Sequence, residues 1–125
     1  MIQQTNTLSK SFTAGGAITK NAIVMFGADD NTVVVATAAT DKLLGVALAA
    51  AASGERVEVQ LQGVAEVALG GTVARGADVP SGAAGVGGAL AAAIPIKSSV
   101  GRAMASGVSG DIIPVALSVW SAVTA

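Results

Sequence analysis

The sequence predicts an all-β protein: a small β-barrel or sandwich, of β-tulip or jelly-roll type, built from two degenerate repeats and preceded by an extended N-terminal arm. Three observations lead there. Thr32–Thr37 (TVVVAT) is β-branched almost throughout and has the length of a strand. Arg56–Gln62 (RVEVQLQ) alternates apolar and polar residues, the signature of a half-buried strand. The framework of Leu43–Leu61 returns as Ser99–Leu117: Gly-x-Ala, then Ser-Gly and an acid, then alternating apolar residues.

Taken in order, residues 1–10 form a polar, aperiodic arm, and residues 11–125 form a single β domain with pseudo-repeats at about 14–63 and 69–118. Ala14-Gly15-Gly16 marks a turn after Ser11-Phe12-Thr13. Ala22–Phe26 and Thr32–Thr37 flank the turn residues Gly27–Asn31 and read as a hairpin. Leu43–Ala52 has the alanine content of a helix and Asp41 as a cap, but its counterpart Ser98–Gly107 carries two Gly and three Ser. A strand followed by a tight loop suits both copies. Val57, Val59 and Leu61 are expected to face the core, with the Arg56 head, Glu58 and Gln60 outside, and Gly63 is expected to end that strand before a second one, Val64–Leu69.

The second copy starts at Gly70-Gly71, a spacing of 55 from Gly15-Gly16, which becomes 56 between Gly45 and Gly101. A period found only twice indicates a duplicated β unit, since solenoids need about three repeats. Asp78–Gly88, rich in Gly and Ala, is the expected loop, and Pro95 makes Ala89–Ile96 an edge or irregular strand. Pro114 occupies the outward position of Glu58 and predicts that the last strand, Ile112–Leu117, lies at an edge. Trp120, the only Trp, is either a lid on the core or an anchor for contact with another chain. Pro114 and Trp120 are thus the candidate oligomer contacts.

Composition removes most chemistry. The net charge is −1 and 12% of residues are charged, so no field attracts nucleic acid or an anionic membrane. The ten-residue run Leu43–Ala52 falls short of the about 20 that a bilayer helix needs. Met1–Thr7 lacks both a basic n-region and an apolar h-region, so an intracellular product is expected. With no His, Cys or Tyr, imidazole bases and thiol nucleophiles are absent. The acidic turn Asp29-Asp30-Asn31 lacks the ordered oxygen ligands of a calcium loop, and Gly85–Gly88 lacks the Gly-Lys-Ser/Thr ending of a phosphate loop. No catalytic residue, metal site or cofactor is expected, and the protein is read as not an enzyme.

The order Ala-Gly-Gly-x-Ile-x-Lys-Asn-Ala from Ala14 to Ala22, a short hairpin, Leu-Leu-Gly-Val-Ala-Leu from Leu43 to Leu48, and then Gly-Glu-x-Val-x-Val from Gly54 to Val59, followed by a degraded second copy, resembles the small phage capsid cement or decoration proteins. The resemblance spans about Gly15–Leu117. It implies a structural virion protein on the outer surface of an icosahedral head, made in the host cytoplasm, commonly trimeric, that locks neighbouring major capsid subunits. The arm is the candidate capsid contact, through Ile2, Gln3, Gln4, Thr5, Asn6, Thr7 and Leu8. The implied partners are the major capsid protein and further copies of the chain as a homotrimer. A carbohydrate- or surface-binding β module and a minor tail or baseplate protein are the alternatives.

Overall fold

A computed structural model describes residues 8–36, 43–79 and 96–123, with 96–98 and 118–123 described as backbone. The described residues contain eight strands and no helix: β1 Leu8–Ala14, β2 Ile23–Phe26, β3 Thr32–Val35, β4 Leu43–Ala47, β5 Arg56–Ala68, β6 Asp78–Val79, β7 Ile96–Ala103 and β8 Ile112–Val123. The all-β expectation holds.

Five strands close on themselves in the order β1-β3-β2-β4-β5, with β1 pairing back onto β5 to make a small barrel. Closure leaves those strands no free edge. The β1–β3 pair is parallel (Thr13↔Thr32, Ala14↔Val33), and the other pairs are antiparallel. β1 covers β5 from Arg56 to Gln62, and from Gly63 to Ala68 β8 pairs with β5 instead. β7 and then the two-residue β6 continue this second sheet.

The expected break at Gly63 does not occur. β5 runs through it for 13 residues, because Gly63 adopts φ +98°, a left-handed conformation that turns the strand without ending it. One long strand therefore serves both units.

Duplication extends to individual hydrogen bonds. The Ala14 amide donates to the Glu55 carbonyl and the Leu69 amide to the Asp111 carbonyl, both at 2.8 Å. The bridges Ile18↔Ala51 and Val73↔Gly107 also correspond. The two glycines and the acid of the signature each have a physical reason. Gly54 and Gly110 adopt φ of +89° and +94° in matching turns. The following acid caps the same turn, Glu55 Oε1 accepting from the Ala52 amide at 2.7 Å and Asp111 Oδ2 from the Val108 amide at 2.9 Å. Gly45 and Gly101 sit where a neighbouring carbonyl leaves no space for a Cβ.

Two clusters form the core. Phe12, Val24, Val33, Val57 and Val59 fill the barrel. Val67, Leu69, Val73, Val79, Val100 and Val115 line the second sheet, joined by Ile23, Leu43 and Val46 from β2 and β4 of the barrel. The barrel wall thus supplies part of the second unit's core. The largest side chains with under 2% exposure are valines and Ile23, each worth about 1.5–3 kcal/mol on burial.

Two further expectations are corrected. Gln60 is buried, because its Nε2 donates to the carbonyls of Gln62 and Val64 at 3.1 and 2.9 Å and so spans the bend at Gly63. β8 is not an edge strand, since it lies between β5 and β7. Pro114 is tolerated because β7 ends at Ala103: the Pro114 carbonyl accepts from the Met104 amide at 3.0 Å, and the donor that proline lacks falls beyond the β7 ladder. In the first unit the Glu58 carbonyl accepts from the Leu48 amide at 2.9 Å, just past the end of β4.

Candidate interaction surfaces

The first surface begins where the expected arm meets the barrel. Leu8, Ser9 and Lys10 are β-paired to β5, Leu8 opposite Gln62, and the Leu8 side chain is 53% exposed. Leu117 of β8 pairs with the next β5 residue, Gly63. The chain entry and the second sheet therefore meet at adjacent positions on one strand. Ile2, Gln3, Gln4, Thr5, Asn6 and Thr7 lie outside the described residues.

Beside this junction is a cleft of about 340 Å³ with Lys20 and Glu66 on its walls, Leu48 and Val64 as apolar lining and buried Gln60 contributing to it. Gln60 already spends its amide on the β5 bend, so this residue braces the cleft.

Pro114 is exposed on the outer face of the second sheet, opposite Glu66. Trp120 pairs through its backbone with Ser99, and its side chain lies outside the description. Leu8 and Pro114 are not brought together: they occupy β1 and β8, which pair with separate stretches of β5. Val64, Met104 and Ile112 are exposed apolar residues that the sequence reading passed over. Parity would have found Ile112: if Ile113, Val115 and Leu117 point inward, Ile112 points out.

Electrostatics are weak across these surfaces. Arg102 and Asp78 approach to 3.9 Å with Arg102 69% exposed, a pair worth little. Asp29 accepts from the Asn31 amide at 2.9 Å, and this bond, with help from Thr32, holds its carboxyl below the ordinary aspartate value. That carboxylate stabilises its own turn. Among the described residues no three His, Cys, Asp or Glu side chains gather as metal ligands. What the surfaces offer is shape, backbone closure and apolar contact.

The sequence profile of the phage cement proteins matches residues 2–117, nearly the whole chain. The chain belongs to the phage cement protein family. This is a family of structural phage proteins, so the chain is a phage structural protein associated with the capsid. A search of curated proteins found no match. Among solved structures, the chain is similar to the N base of the head fiber gp8.5 of bacteriophage phi29, with a TM-score of 0.66 and 16% sequence identity over 90% of this chain and 94% of that one. At that identity the likeness concerns the fold, which is shared over nearly the full length of both.

Proposed function

We propose that the protein binds the outer surface of an icosahedral phage head and stabilises contacts between major capsid subunits, acting as a homotrimer. The observation that carries this reading is the family match over residues 2–117 on a closed β body. That a solved structure of like fold is the base of a phage head fiber supports a head location over a tail one. In this reading residues 2–8 form the strip laid along the capsid protein, anchored by the β1–β5 ladder. Pro114 and Trp120 contact neighbouring copies.

Physical chemistry suits such attachment. Many weak contacts made on a lattice reinforce one another, since each holds its neighbour at high effective concentration. A nearly neutral chain makes that attachment insensitive to salt.

The test is addition of the purified protein to heads that lack it. Saturable binding at a copy number fixed relative to the major capsid protein, with a raised temperature of head disruption, is the expected result. Removal of residues 2–8 is expected to weaken binding. Binding confined to tails, or a handful of copies per particle, contradicts the proposal.

A further inference from the structure

The internal duplication provides a control for surface composition. The outer face of the first unit carries Ser9, Thr13, Arg56 and Glu58, joined across the strands by Ser9 Oγ donating to Glu58 Oε2 at 3.3 Å and Arg56 Nη1 donating to Thr13 Oγ1 at 3.4 Å. The second unit has the same backbone pairing at these places, Lys10↔Val59 becoming Ala65↔Val115 and Phe12↔Val57 becoming Val67↔Ile113. There Ser9 is replaced by Val64, Thr13 by Ala68, Arg56 by Ile112 and Glu58 by Pro114.

Met104, matching Leu48, extends this face across β7. Val64, Met104 and Ile112 are 48%, 51% and 53% exposed. Because the first unit holds the same ladder with Ser9, Arg56 and Glu58, folding does not require Val64, Ile112 and Pro114 here, whereas Met104 has an apolar and exposed counterpart in Leu48. Val64 on β5, Ile112 on β8 and Met104 just past the end of β7, with a proline between them, put exposed apolar side chains on one face, and such clusters mark interaction sites.

We infer that this face, formed by Val64, Met104, Ile112 and Pro114, is the surface through which one copy of the chain associates with another. Two features select a second copy as the occupant. Its outward positions Val64, Ala68, Met104, Ile112 and Pro114 are apolar, and an apolar contact core characterises interfaces between identical chains more than those of separable partners. Two exposed charges of opposite sign also lie on this face, Glu66 on β5 opposite Pro114 and Arg102 on β7 opposite Ala116, the latter held only loosely by Asp78 at 3.9 Å. When copies meet through this face, the Glu66 of one can meet the Arg102 of the next. This rests on the self-association in the proposed function, assigns it to a particular face, and holds whether or not the protein binds heads.

The test uses the full chain in solution, with sedimentation velocity and light scattering over a range of concentrations. A swap of Val64→Ser, Ile112→Arg and Pro114→Glu gives the second face the residues that the first carries on the same backbone. Wild type is expected to self-associate and the swap to dissociate at least about 100-fold more readily, with an unchanged β-type circular dichroism spectrum. If the swap does not fold, Ile112→Arg alone, at an exposed position, is expected to weaken association about tenfold or more. A wild type that stays monomeric overturns the inference, even if the swap abolishes head binding, since the face then belongs to a capsid contact. Association unchanged in the folded variants overturns it too.

Discussion

Gly101 lies flat against the carbonyl of Ala116, with no room for a Cβ, and Gly45 stands in the same relation to Gln60. Backbone atoms cannot step aside as a side-chain tip can. Gly45→Ala and Gly101→Ala are each expected to lower stability by about 1–3 kcal/mol, read from urea unfolding midpoints. A loss at only one site would mean that the two units tolerate crowding differently.

Glu55 and Asp111 each cap a turn by accepting an amide three residues back. Glu55→Ala and Asp111→Ala are each expected to cost about 0.5–1.5 kcal/mol, measured by thermal unfolding. Gly54→Ala, at φ +89°, forces a side chain into the left-handed region and is expected to cost about 1 kcal/mol even though the added methyl meets no neighbour.

Gln60 holds the bend of β5 through two backbone carbonyls. Gln60→Ala removes both bonds, and about 1–3 kcal/mol of stability is expected to go with them. Hydrogen exchange should rise most at the amides of residues 63–66, while the barrel strands β2 and β3 stay protected. Uniform acceleration across the protein would show that the bend has no local role.

Asp29 gives a pH dependence of known sign. Its folded pKa lies below the ordinary value, so its contribution to stability is present above the unfolded pKa and is lost as pH falls through the folded one. The group is fully exposed, so the contribution is small. A carboxyl NMR titration should place Asp29 below the ordinary aspartate value, and Asp29→Asn should leave the acid unfolding midpoint nearly unchanged. A large shift of that midpoint would contradict this picture.

The strands and their duplication are legible in the sequence because β-branched runs, alternation and the Ser-Gly-acid turn are local signals. Three features are not. Gly63 looks like a terminator, and only its position in a strand shared by two units makes it a bend. Gln60 sits at a polar position of a clean alternation, and its burial follows from carbonyls at Gln62 and Val64 that the bend exposes. Pro114 suggests an edge, but where the neighbouring strand stops cannot be seen from the proline itself. For the interaction surfaces, the polar N-terminal stretch and Pro114 stood out and strand parity marks Ile112 as outward, whereas Val64 and Met104 pass for core until the repeat is laid over the folded faces.

The 13-residue β5 has a mechanical consequence. β1 grips its first half and β8 its second, both running antiparallel to it. Tension entering through the start of β1 and leaving through β8 acts along the strands and across their hydrogen bonds. The bonds then share the load in shear, where a zipper would let them open singly. A body wired in this way is stiff along one axis, which suits the bridging role between capsid subunits proposed above.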